Sequence, residues 1–242
     1  MTQAMTEEEF LSRLLYRDAL MLVIDKPAGL PVHPGPKGGT TLADYLDLLR
    51  FGLPRQPEIA HRLDKDTSGC LVLGRHAKAL TRLGNLFKTN RIDKTYLAVV
   101  EGGPESDDGV ITLPLSPRSK TRGWWMKVDP EGQPAETRWR VLGRTKSHTT
   151  LELKPITGRT HQLRIHCSAS GWPILGDTIY GAAPRDGGPR LHLHAAEIVI
   201  PLYPKKDPVI VRAPVPEDMT ALVCRGSAPN PAGGRFPPDP PQ

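Results

Sequence analysis

The chain has 242 residues, 32 of them Lys or Arg and 26 Asp or Glu, for a formal net charge of +6. That length suits one large core or two small ones, no apolar run is long enough to span a bilayer as a helix, and the basic balance favours a polyanionic partner without naming it. Glu7, Glu8 and Glu9 near the start do not fit a secretory signal. Cys70, Cys167 and Cys224 are odd in number and lack CxxC spacing, a pattern that fits free thiols in a reducing cytoplasm.

In chain order, Phe10, Leu11, Leu14 and Leu15 line one side of an amphipathic helix predicted over residues 6–16. Residues 19–24 read as a strand, and the Pro/Gly-rich loop Asp25–Gly35 follows. Thr41 is placed to cap a helix running to about Arg50. Next comes the polar run His61-Arg62-Leu63-Asp64-Lys65-Asp66-Thr67-Ser68-Gly69, which opens onto the apolar strand Cys70–Leu73. Loops at the mouth of a rigid scaffold are where catalytic groups are found, yet Asp-x-Thr-Ser-Gly is equally good turn chemistry. On local grounds both readings stand.

The spacing of Leu80, Leu83, Leu86 and Phe87 predicts a helix over 77–89, and Tyr96–Val100 reads as a strand. Further strands are predicted at 109–113, 135–141, 149–153, 191–200 and 209–211, with a helix from Thr160 to about Ser170. On that helix Thr160, His161 and Arg164 share a face, so an imidazole and a guanidinium are presented together while Leu163 and Cys167 are buried. Trp124 and Trp125 stand among Arg118, Lys120, Arg122 and Lys127, either as stacking platforms for bases or as a buried pair in a hairpin. Gly176–Gly181 reads as a turn, and His192 and His194 point the same way from a strand. The Pro/Gly-rich segment 226–242 is expected to be a disordered tail.

Strands outnumber helices and many are joined by short turns. That favours an α+β fold: a mixed, mainly antiparallel sheet with flanking helices. The expected division is an N-terminal helix or extension over 1–17, a catalytic domain over 18–215, and the tail.

Five motifs recur in a fixed order: His-Arg-Leu-Asp-x-x-Thr-Ser-Gly at 61–69, Lys-x-Tyr at 94–96, Thr-Gly-Arg-Thr-His-Gln-Leu-Arg-Ile-His at 157–166, Gly-Asp-x-x-Tyr at 176–180 and Leu-His-Ala at 193–195. With Asp-Lys-Pro-Ala-Gly-Leu at 25–30, they resemble the RluA family of RNA pseudouridine synthases over about residues 18–213. His61 and Ser68 favour that branch over the related RsuA branch, and the compact type without an S4 RNA-binding module is expected. The resemblance implies the pseudouridine synthase catalytic fold and an isomerisation without metal or cofactor. The uridine C1′–N1 bond is broken, the uracil rotated, and the base rejoined through C5.

Carried over residue by residue, the resemblance implies Asp64 as the catalytic carboxylate and Arg164 as the arginine that pairs with it and keeps it ionised. It implies Tyr96 as the ring that stacks on uracil and serves as a late base. Arg62 is implied as the side chain that fills the gap left by a flipped base. The expected partner is structured RNA, either large-subunit rRNA, a tRNA anticodon stem-loop or both, met by a monomer in the cytoplasm without a membrane. Two rival readings are weaker. A zinc hydrolase built from His161, His166, Cys167, His192, His194 and Asp177 has no standard ligand spacing, and a merely RNA-binding protein needs no carboxylate facing a polyanion.

Overall fold

The computed structural model describes residues 5–34, 38–119 and 125–223. Its strands are β1 (Leu14–Arg17), β2 (Met21–Lys26), β3 (Glu58–Ile59), β4 (Ser68–Gly74), β5 (Asp93–Glu101), β6 (Asp108–Ile111), β7 (Leu115–Pro117), β8 (Met126–Val128), β9 (Thr137–Arg144), β10 (His148–Pro155), β11 (Leu193–Ile200) and β12 (Val209–Arg212). Its α-helices are α1 (Glu7–Leu11), α2 (Ala77–Lys88), α3 (Gln162–Ala169) and α4 (Glu217–Val223), with a tighter 3-10 helix at Leu42–Leu49.

One sheet runs in the order β1-β2-β4-β11-β5-β10-β9-β6, with β12 on β11 and β3 on β4, while β7 and β8 form a separate hairpin. The expected mixed, mainly antiparallel α+β architecture is therefore what is found. Among the described residues, the β4–β11 pairing is parallel and the other strand pairings are antiparallel. This parallel pairing, Ser68 to His194 and Gly69 to Ala195, joins the N-terminal strands to the rest of the sheet.

Burial on both faces explains the unbroken apolar run after Gly69, since a strand covered on both sides needs no polar alternation. Leu22, Ile24, Leu71 and Leu73 pack towards Phe10, Tyr45, Leu46 and Leu49 on one face. Met21, Val23, Cys70 and Val72 pack towards Leu83, Ile198 and Ile200 on the other. Strand alternation thus feeds two cores from the same strands. The ring of Phe10 stacks on Tyr45 at 4.9 Å, which anchors α1 to the first core.

The helix predicted over 6–16 is corrected. Thr6 and Glu9 form a capping box, but the helix stops at Leu11, and residues 14–17 instead pair with β2 as an edge strand. A helix this short nucleates poorly, whereas an edge pairing satisfies the backbone of Leu14–Arg17 at once. The helix expected after Thr41 forms as a 3-10 helix, with Thr41 N–H donating to Asp44 Oδ2 at 2.8 Å. Strands β3, β7 and β8 and helix α4 are additions to the sequence reading. The tail 226–242, Cys224 and Trp124 lie outside the described residues.

Candidate active site

The polar run 61–69 is pinned at both ends. At its end, Gly69 has φ +107°, and a Cβ there would lie 2.3 Å from the Ala195 carbonyl oxygen, so only glycine allows β4 to close against β11. Beside it the Ser68 hydroxyl hydrogen-bonds His194 Nδ1 at 2.9 Å. At the start, His61 Nε2 accepts the Val72 N–H at 3.1 Å, and its ring stacks on Phe87 at 4.3 Å. A backbone N–H can only donate, so this imidazole carries its proton on Nδ1. Burial, assisted by the charge of Lys94, pushes its pKa down to about 3.

The middle of the run is clamped by the 25–30 segment. Lys26 is fully buried, and its Nζ donates to the carbonyls of Pro27, Leu30 and Lys65 at 2.8, 2.9 and 2.9 Å. Gly29 N–H adds a bond to the same Lys65 carbonyl at 2.9 Å. Desolvation pushes the Lys26 pKa down to about 7, against the pull of Asp66, Asp64 and Asp25. Two chain segments are thereby tied together next to Asp64.

Asp64 opens into a cavity of about 560 Å³, lined also by Arg62, Thr67, Lys94, Tyr96, His161 and Arg164. Its side chain is 18% exposed, and both of its ion contacts are long: Arg164 Nη1 at 3.8 Å and His161 Nε2 at 3.8 Å. The close partner of Arg164 is a different carboxylate. Its Nε and Nη2 donate to Asp177 Oδ2 and Oδ1 at 2.8 and 2.7 Å, a forked pair with side chains 4% and 1% exposed. The expected pairing of Arg164 with Asp64 is thus present only at longer range. Asp177 Oδ1 further accepts the N–H groups of Ile179 and Tyr180, both at 2.9 Å.

Burial works to raise the Asp177 pKa, but the bonds and charge of Arg164 win and hold it below the ordinary carboxylate range. Burial likewise opposes charge on Arg164, and the same pairing outweighs it in the raising direction. Asp177 therefore neutralises the guanidinium and aims its remaining nitrogen at Asp64. The sequence reading left Asp177 in a turn. It is a turn, and Gly176 is required there at φ +80° because a Cβ would meet the Arg190 carbonyl at 2.0 Å.

His161 precedes α3 in the left-handed region, at φ 53°, a backbone state for which histidine is enriched among non-glycine residues. From there Nδ1 bonds the Tyr180 hydroxyl at 2.8 Å, and that hydroxyl also accepts the Met126 N–H at 3.1 Å. Desolvation lowers the His161 pKa, with Asp64 pulling the other way. The Tyr180 ring lies 5.3 Å from the Arg164 guanidinium carbon. Tyr180 and Lys26 are not among the expected site residues, and Asp177 stands there only in the weaker zinc reading. The signal available was their place inside motifs already in register.

Tyr96, on β5, is half-buried and lines the cavity. Burial first, then the charge of Asp64, raises its phenol pKa well above the ordinary value, so the group is held protonated at neutral pH. Arg62 is exposed at the rim. The opposite wall is Thr157–Gln162, held by a relay in which Thr157 Oγ1 donates to Gln162 Oε1 at 2.7 Å. Gln162 Nε2 donates to the Thr137 hydroxyl at 3.0 Å, and Thr137 bonds His166 Nδ1 at 2.9 Å.

Trp125 is half-buried beside the β7–β8 hairpin, with its carbonyl accepting Arg118 N–H at 2.6 Å, and is not part of the cavity lining. His192 and His194 are both buried, with His192 Nδ1 on the Arg190 carbonyl at 2.8 Å. Among the described residues no three His, Cys, Asp or Glu side chains gather into a group that would hold a metal ion. Among them, too, no helix is long and apolar enough to cross a membrane.

A family described as RNA pseudouridylate synthase matches residues 20–169. An uncharacterised RNA pseudouridine synthase of Zymomonas mobilis is 43% identical over 215 residues, covering 87% of this chain and 96% of that one. The ribosomal large subunit pseudouridine synthase D of Xanthomonas campestris is 39% identical, covering 87% of this chain and 68% of its own. Among solved structures, human RNA pseudouridylate synthase domain containing 4 superposes with a TM-score of 0.77 at 28% identity, covering 93% of this chain and 97% of that one.

Proposed function

The chain belongs to the RNA pseudouridylate synthase family, and from that premise we propose that it isomerises uridines of large-subunit ribosomal RNA, with Asp64 as the catalytic carboxylate. The observation that carries the assignment is the state of Asp64. It faces the cavity between a guanidinium and an imidazole, each 3.8 Å away, and among the described residues no short side-chain bond ties up its oxygens. Addition to the sugar anomeric carbon, addition to uracil C6 and removal of a sugar proton all need such an unencumbered carboxylate. The reaction conserves its atoms: C1′–N1 breaks, C1′–C5 forms, the C5 proton leaves to solvent and N1 regains one.

Arg164 is the fixed charge that keeps Asp64 in place, itself held by Asp177. Tyr96 supplies a ring against which the flipped uracil packs. Its raised pKa keeps the phenol protonated at neutral pH, which supports a role as packing surface and donor. A stacked base must leave its helix to reach a cavity like this one, at a cost of roughly a few kcal/mol. Arg62, exposed at the rim, is suited to fill the gap, because its guanidinium stacks like a base and also pairs with phosphate. Lys94 and Arg159 line the same cavity and suit the flanking phosphates. The catalytic domain spans 18–215 and acts as a monomer.

The substrate class rests on relatives named as ribosomal large subunit synthases D and C. Pseudouridine mapping in total RNA from cells with and without the gene tests it. Sites lost from large-subunit rRNA are expected. Loss confined to tRNA would reassign the substrate, and no lost site would overturn the proposal.

A further inference from the structure

Two hydroxyls follow Asp64 in the same turn, and the fold uses only one of them. Ser68 Oγ is engaged with His194 at 2.9 Å. Thr67 is 2% exposed and lines the cavity, yet its Oγ1 is buried without a hydrogen-bond partner among the described residues. Its backbone is already fixed by Thr67 N–H donating to the Asp64 carbonyl at 3.2 Å, so the turn closes without the side chain. Leaving a buried hydroxyl unpaired destabilises a protein, whereas an apolar group of the same shape is neutral or better. A valine here would serve the fold as well as threonine does. The hydroxyl therefore answers to something that enters the cavity.

Resting on the isomerase reading above, we infer that Thr67 Oγ1 is a substrate-binding group that donates a hydrogen bond to a uracil carbonyl. The chemistry selects a neutral donor. A cation at this position would pair with Asp64, and a second carboxylate would repel it. Uracil also has a symmetry that suits a fixed donor. Turning the ring over about its C6–N3 line exchanges N1 with C5 and, at the same time, O2 with O4. Once the Thr67 hydroxyl turns to that edge, it meets a carbonyl oxygen before the rotation and another after it, so one donor serves the base in both orientations.

The test compares Thr67→Val with Thr67→Ser on RNA isolated from cells lacking the gene, reading kcat, KM and melting temperature. Thr67→Val is expected to lose about tenfold in kcat/KM, the worth of one neutral hydrogen bond, while melting at or above the wild-type temperature. Thr67→Ser, which keeps the hydroxyl, is expected to recover most of that loss. Wild-type kinetics for Thr67→Val would overturn the inference. So would a fall in its melting temperature in step with activity, the mark of a structural hydroxyl. Inactivity of the wild-type protein on every RNA would overturn this contact and the isomerase reading together; a normal wild-type rate with an unaffected valine variant removes the contact alone.

Discussion

Replacing Asp177 by Asn tests the division of labour between the two carboxylates that flank Arg164. The substitution keeps the side chain's shape but removes the charge that neutralises a guanidinium only 4% exposed. Breaking a buried, forked ion pair by removing one partner costs about 3–5 kcal/mol. For a chain of this size each kcal/mol moves the melting temperature by about 2–4 °C, so a fall of roughly 10 °C is expected. Arg164 is then free to turn towards Asp64, 3.8 Å away, and to close on an oxygen the reaction needs. Turnover measured well below the new melting temperature should therefore drop by about 100-fold or more, a loss of nearly 3 kcal/mol in transition-state stabilisation. Asp64→Asn is the control. Its carboxylate makes no short side-chain bond among the described residues, so its removal should leave the melting temperature within about 2 °C of wild type. Calorimetry and a pseudouridine-formation assay on the same preparations decide the matter. A wild-type melt and rate for Asp177→Asn, or an Asp64→Asn melt as low as that of Asp177→Asn, would refute the reasoning.

Three further outcomes are expected. Arg164→Met strips Asp177 of its partner and should lower stability as well as activity, while the double variant Arg164→Met/Asp177→Asn should be less destabilised than the two losses summed; strict additivity in thermal melts would contradict the coupling. His61 and His194 are held neutral in the folded chain, with pKa values pushed down to about 3 and about 4 by burial, against an ordinary 6.5. Below pH 6.5 the unfolded chain takes up protons that the folded chain refuses until near those values. Stability should thus fall as pH drops from about 6.5 to about 4, and His61→Gln should flatten the slope; melting temperatures that rise on acidification would refute the burial of these rings. Arg62→Lys keeps the charge but loses the planar group, so turnover should fall more on structured RNA than on an unstructured strand, and an equal loss on both would reduce Arg62 to a phosphate contact.

Strands β2, β4, β5, β6, β9, β10, β11 and β12 are legible because their apolar residues carry the strand pattern, and α2 because its leucines carry the helical one. The N-terminal segment was misjudged for a physical reason: Phe10, Leu11, Leu14 and Leu15 satisfy a helical period, and only the presence of β2 as a neighbour makes residues 14–17 a strand. Local pattern cannot report a partner that arrives through the fold. The same holds in the site. Asp64, Tyr96 and Arg164 were found through motifs, and the cavity brings them together. Asp177 was missed because a Gly-Asp pair in a turn is ordinary on local grounds; what distinguishes it is the arginine 13 residues upstream that it meets at 2.7 Å. Lys26 was missed likewise, since a lysine next to proline reads as surface until three carbonyls converge on it. Thr67 and Ser68 read together as turn chemistry, and only the hydrogen bond from Ser68 to His194 separates the one used by the fold from the other.

The central claim is that Asp64 performs the chemistry while the surrounding residues hold it and the RNA in place. Tritium release from RNA labelled at uridine C5 measures that most directly, run beside a binding assay on the same RNA. Wild-type protein is expected to release tritium, and Asp64→Asn to bind the RNA with nearly unchanged affinity and release none. Measurable turnover by Asp64→Asn would contradict the account.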